Sequence, residues 1–193
     1  MFSYFEKGII NLIPSKTIDL GQLVKLIKTN PKQSLVNEIR ELRLKGDQTY
    51  KKKKTFLNYI TPNCSVKKRS LKKEEDYTKN FIAPSSYIYF DFDDVVNTQE
   101  YKHYFIEKYG HLVSLVCNSS GAGGISVLFK ITNIIDNNNF YDVWEIIKTT
   151  YLKEEQVDIK CKNIGRAMYL PYDTDPFVNY ENEITVDIPL SKE

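Results

Sequence analysis

Residues 87–96 read YIYFDFDDVV, an aromatic and apolar run that ends in three carboxylates. Such a run favours a strand with a buried face, and side chains alternate across the pleat of a strand. Ile88, Phe90 and Phe92 therefore share one face, while Tyr87, Tyr89, Asp91 and Asp93 share the other. The two aspartates stand roughly 6.6 Å apart along the strand. Like charges on one face are unfavourable unless protonated, solvated or holding a cation. Two readings stay open: a strand end entering a solvated acidic turn, or half of a metal site. Alternation leaves Asp94 as a turn residue.

The patterns on either side limit the topology. Leu20, Leu23, Val24, Leu26 and Ile27 follow a capping Asp19 at helical spacing, and Asn30-Pro31 ends that helix. Leu35, Val36, Ile39 and Leu42 repeat the pattern up to Gly46, with Arg40 and Arg43 outward. The N-terminal third thus reads as helical after its first few residues, and residues 47–80 form a basic connector punctuated by Pro62. A strand is expected at about 86–92, a helix at 98–109 stopped by Gly110, strands at 112–118 and 124–131, a helix at 138–151, and a short strand near 167–170. This β-α-β-β-α-β order is that of ferredoxin-like and RNA-recognition-motif-like (RRM-like) folds. The expectation is an α+β chain with one integrated domain. Residues 1–80 form a helical and basic segment packed on an RRM-like core of residues 81–193.

A four-stranded sheet of order 4-1-3-2 places the end of its first strand, the turn between its second and third, and the start of its fourth at one edge. Asp91 and Asp93 should then meet NSSGAGGIS (118–126) and VDIKCKNIGR (157–166). The glycine-rich turn must bend tightly and approach something closely. It is either a flexible hairpin or a nest of N–H groups for an anion. It matches neither the P-loop nor the dinucleotide fingerprint. Asp158 adds a third carboxylate and Arg166 a cation. Three carboxylates around one or two Mg²⁺ or Mn²⁺ ions suit phosphoryl transfer. Ser126, Leu128 and Lys130 share a strand face, so Lys130 could add charge there, and Tyr87 and Tyr89 could stack a base.

A net charge of +2 hides an asymmetry. Residues 40–79 carry thirteen Lys/Arg against five Asp/Glu, and residues 80–193 carry nine against seventeen. The basic stretch, including Lys52, Lys54, Lys67, Lys68 and Arg69, is either a solvated surface or a footprint for a polyanion. No apolar run is long enough to span a bilayer and no signal peptide is evident, so an intracellular, cytoplasmic protein without a membrane partner is expected. Cys64, Cys117 and Cys161 are too scattered for a zinc site or disulfide scaffold.

The paired-Asp strand FDFD, the SGAGGIS turn and VD followed by IGRAMYLP resemble, in order and spacing, the three motifs of the archaeo-eukaryotic primase superfamily. From residue 1 to about 180 the chain is similar to the primase-polymerase-like N-terminal domain found ahead of VirE-type modules in mobile-element and phage proteins. The resemblance implies a nucleotidyltransferase acting in DNA replication, using Mg²⁺ or Mn²⁺, a single-stranded DNA template and nucleotides, with a separate replicative helicase as a possible partner. It implies Asp91, Asp93 and Asp158 as metal ligands, Ser120 and Gly121 at nucleotide phosphates with Arg166 beside them, and Lys52 and Lys54 facing nucleic acid or nucleotide. Ser126 stands where the superfamily has a histidine. The alternative is a catalytically degenerate nucleic-acid-binding or replication-initiation module, and a metal-dependent nuclease is a third reading.

Overall fold

The chain begins in a sheet. β1 (Phe2–Phe5) is buried along its whole length and pairs antiparallel with β2 (Lys16–Ile18) and β3 (Tyr59–Thr61). Phe5 stacks on Tyr59 with ring centroids 4.3 Å apart. These strands have only three or four residues each, too few to show alternation against the helical pattern around them. The computed structural model describes residues 1–70, 79–133, 136 and 138–187. It shows an α+β chain with antiparallel sheets.

α1 (Leu20–Lys28) starts in a capping box. The Gln22 N–H donates to Asp19 Oδ1 at 2.7 Å and the Asp19 N–H donates to Gln22 Oε1 at 3.0 Å, which satisfies two otherwise orphaned donors. Its buried stripe is Leu20, Leu23, Val24 and Ile27. α2 (Gln33–Leu44) buries Val36 and Ile39 against Leu57, and the chain leaves it through Gly46 at φ 73°, a conformation glycine adopts without strain. The basic connector is more ordered than its composition suggests. It holds α3 (Thr49–Lys54), β3, and β4 (Cys64–Val66), which pairs with β5 (Phe81–Pro84). Residues 71–78 of the connector lie outside the described residues.

From residue 87 the elements follow the expected order: β6 (Tyr87–Asp93), α4 (Thr98–Tyr109), β7 (Leu115–Asn118), β8 (Gly124–Lys130) and α5 (Phe140–Thr150). β8 lies between β6 and β7, antiparallel to both. Phe90 stacks on Trp144 of α5 at 5.2 Å and Phe92 meets Phe105 of α4 at 4.9 Å. The Ile88/Phe90/Phe92 face is therefore the one packed on the helices, and the face with Tyr89, Asp91 and Asp93 looks the other way.

The strand expected near 167–170 forms as β9 (Met168–Tyr169) but pairs with β3, giving a sheet of order β2-β1-β3-β9. The main sheet instead gains β10 (Phe177–Val178) beside β7, in the order β10-β7-β8-β6. The outer edge of β6 is closed by single contacts. The Tyr89 N–H donates to Asn63 Oδ1 at 2.8 Å, and the Asp158 N–H donates to the Asp91 carbonyl at 2.9 Å. With that edge satisfied, β9 finds its ladder on β3. No helix among the described residues is long and apolar enough to cross a membrane.

Candidate active site

The face of β6 and β8 opposite the helices borders a cavity of about 160 Å³, closed on its other side by Lys54, Arg69, Ala167 and Tyr169. Asp91 is buried there at 8% exposure. Strand register puts Ser126 directly across from it, and the Ser126 hydroxyl donates to Asp91 Oδ1 at 2.9 Å. The buried Tyr89 hydroxyl lies 3.4 Å from Ser126 Oγ. Burial, and after it the neighbouring Asp93 carboxylate, pushes the Asp91 carboxyl up to about 6, against the opposing pull of Lys54 and Ser126. Asp93, one pleat further on, is exposed at the mouth. Tyr89, Asp91 and Asp93 share the cavity face as alternation requires.

Cations and hydroxyls line the rest. The Lys54 ammonium sits 5.5 Å from the centre of the Tyr169 ring. The Arg69 guanidinium lies 5.3 Å from the Tyr59 ring centre, and its Nε donates to the Gly165 carbonyl at 3.2 Å. Ser119 and Ser120 enter buried from the glycine turn. Among the described residues, Ser119 Oγ and Arg166 Nε are buried without a hydrogen-bond partner. Arg166 holds the third aspartate: its Nη2 donates to Asp158 Oδ2 at 2.8 Å. The other Asp158 oxygen accepts the Lys160 N–H at 3.0 Å. Asp158 thus touches Asp91 through its backbone, while its carboxylate is engaged beside the cavity.

The glycine turn is held from outside by residues of three segments. Its carbonyls accept from Arg43 (Gly121), Thr98 (Ala122) and Val95 (Gly123). The Arg43 guanidinium also pairs with Asp94 at 2.8 Å, and Asp94 takes the left-handed conformation at φ 60° expected of a turn residue. The glycines admit this arginine. A Cβ on Gly123 would lie 2.3 Å from Arg43 Cζ, and one on Gly124 would lie 1.7 Å from the Phe92 carbonyl oxygen.

Asp91, Asp93, Ser120, Ser126, Lys54, Arg69 and Arg166 therefore converge on one cavity. Gly121 lies beside it in the turn, with Asp158 at its border. Lys130 does not belong with them. It pairs with Tyr87 at the opposite end of β6 and binds Glu183 at 2.9 Å, because three residues of strand separate it from Ser126. Tyr87 is likewise remote, its ring packed 5.2 Å from Phe2. Lys52, Lys67 and Lys68 are exposed and line no part of the cavity. Arg40 and Arg43 are the largest departure. They point onto the turn region rather than outward, and Arg40 Nη2 donates to the Ser119 and Tyr172 carbonyls at 3.1 and 2.7 Å. Their i, i+3 spacing on a helix was the signal that they act together.

The donor set of Asp91 and Asp93 suits one hard divalent cation, which would relieve the mutual repulsion that raises Asp91. Among the described residues no group of three or more His, Cys, Asp or Glu side chains is placed to hold a metal, and the Asp158 carboxylate is paired with Arg166. Compared with protein-family models, curated proteins and solved structures, the chain matches none.

Proposed function

We propose that this chain is a primase-polymerase-like nucleotidyltransferase that adds nucleotides to a 3′-hydroxyl on single-stranded DNA during replication of a phage or mobile element. One observation carries the reading: a carboxylate pair of which Asp91 is buried, two serines of a glycine turn and three cations, from distant parts of the sequence, face one cavity. The β6-α4-β7-β8-α5 order, with β8 central, supports a ferredoxin-like core that has given its last strand to the neighbouring sheet. The sequence resemblance to the primase superfamily points the same way.

Asp91 and Asp93 would hold Mg²⁺ or Mn²⁺, which when bound supplies Lewis-acid polarisation of a phosphate and lowers the pKa of a coordinated hydroxyl. The chain's own groups supply the rest. Ser126 fixes the orientation of Asp91. Lys54, Arg69 and Arg166 would draw in a triphosphate and offset the charge that grows on departing pyrophosphate. Arg43 braces the turn and stands as an additional cation near it, where β8 offers serine instead of histidine. Substrate phosphate would compete with Asp158 for Arg166 and so release the third carboxylate toward the pair.

The engaged Asp158 favours a second reading, a binding module without nucleotide chemistry. Incubation with primed and unprimed single-stranded templates, nucleoside triphosphates and Mg²⁺ or Mn²⁺ separates the two. The expected result is extension that an Asp91→Ala/Asp93→Ala variant loses while keeping template affinity. Salt-sensitive template binding without product in either protein sinks the catalytic reading, and template cleavage points to a nuclease.

A further inference from the structure

Among the described residues, two further cavities adjoin the aspartate cavity. One, of about 420 Å³, shares Arg69 and Arg166 with it, and the other, of about 270 Å³, shares Lys54, Asp93 and Tyr169. A strand with one nucleotide at the aspartates continues into an adjoining cavity, and the two differ in charge. The smaller holds Asp93 and Asp94 beside its cations, and these carboxylates repel a phosphate. The larger is walled by Arg69, Lys160, Lys162 and Arg166 with no carboxylate.

Three of these four charges are left unneutralised among the described residues. Arg166 pairs with Asp158 at 2.8 Å. Arg69 meets only the Tyr59 ring and the Gly165 carbonyl, and the Lys162 ammonium lies 5.5 Å from the centre of the Tyr141 ring. Lys160 projects exposed from the short 3₁₀ turn Ile159–Lys162. By contrast, Lys102, Lys108, Lys130 and Lys148 of the same acidic half each pair with a carboxylate. Residues 160–166 hold three of the nine cations of residues 80–193 and no acid. Cations gathered without counter-charge repel one another, and a polyanion relieves that repulsion. Exposed lysines on flexible stems follow a chain of repeated phosphates better than they enclose a single one. Ile159, 59% exposed in the same wall, offers apolar surface to a sugar or base.

We propose that this groove carries the phosphodiester backbone of single-stranded DNA to the aspartate cavity, with Lys160, Lys162 and Arg69 contacting its phosphates. The identity of the strand rests on the nucleotidyl-transfer reading of that cavity, whereas the binding itself needs neither metal nor nucleotide. The full chain is titrated into a fluorescently labelled single-stranded oligonucleotide at several salt concentrations, without metal, and anisotropy is followed. Each phosphate contact on a single strand contributes ~0.7 to the slope of log affinity against log salt. Lys160→Ala/Lys162→Ala should lower that slope by about 1–1.5 and weaken binding roughly tenfold at low salt. Lys153→Ala, at an exposed lysine that lines none of the three cavities, should change neither, which separates a local groove from general surface charge. In the wild type, the backbone amide resonances of residues 159–166 should shift during titration, a readout that requires no variant. Asp91→Asn/Asp93→Asn should retain the binding and its dependence on the two lysines. Lysine-dependent binding without extension therefore overturns only the catalytic reading. Binding as tight and as salt-sensitive in Lys160→Ala/Lys162→Ala as in the wild type overturns the groove, as does absence of strand binding by the wild type. Inorganic triphosphate that binds the wild type as tightly as the oligonucleotide, and is lost in the same variant, identifies a small-anion site and also overturns it.

Discussion

Asp91 is an acid placed where its charge is costly. An unfolded aspartate titrates near ~3.9, whereas burial and then Asp93 push the folded carboxyl up to about 6. The folded state thus binds this proton more tightly, and its contribution to stability is full below about pH 4 and is lost as pH rises through about 6. Asp91→Asn should therefore stabilise the protein at pH 7.5 by about 1–3 kcal/mol, with the gain shrinking toward zero at pH 4. Urea denaturation at the two pH values checks this; an equal gain at both would show that charge is not the cause. On the proposed metal role, Mg²⁺ or Mn²⁺ should raise the melting temperature of the wild type and leave that of this variant unchanged. Ser126 donates to this carboxylate at 2.9 Å, so Ser126→Ala should move the Asp91 titration above that of the wild type, read from the ¹³C shift of its carboxyl carbon. An unchanged titration would mean that the hydroxyl donates elsewhere in solution.

At the scale of elements, the turn between β7 and β8 separates two roles of glycine. A Cβ on Gly123 meets the tip of Arg43, whereas one on Gly124 meets the backbone of Phe92 in the paired strand. A flexible side chain can withdraw and a strand backbone cannot. Gly123→Ala should cost about 1 kcal/mol and Gly124→Ala about 3 kcal/mol or more, as measured by chemical denaturation; equal costs would contradict this placement of Arg43. The α1 cap is a simpler case. Asp19→Ala removes an acceptor from the capping box and should cost ~1 kcal/mol, with no effect on template binding. α1 was legible because its cap and apolar stripe are local signals, and it starts where Asp19 predicts; α4 covers the expected span that Gly110 stops. β1, β2 and β3 were not, since each is short and its hydrogen bonds go to segments distant in sequence.

Across the whole molecule, the described part of the basic stretch of residues 40–79 folds so that only some of its cations face the aspartates. Lys54 and Arg69 reach that cavity while Lys67 and Lys68 stay exposed elsewhere. Lys54→Ala/Arg69→Ala should reduce the slope of log affinity against log salt for single-stranded DNA by about 1–2. Binding titrations across several salt concentrations test this, and an unchanged slope would place the nucleic acid on another face. The sequence by itself determined the strand that carries Asp91 and Asp93, the face they share, the helices behind them and the tight glycine turn, because alternation, capping and glycine content act over a few residues. Only the tertiary structure decided that β9 joins β3, that Arg166 takes the Asp158 carboxylate, that Lys130 lies at the wrong end of its strand, and that Arg40 and Arg43 turn inward onto the turn region. Those outcomes depend on which distant groups compete for the same edge or charge, and that competition is settled only when the segments are packed together.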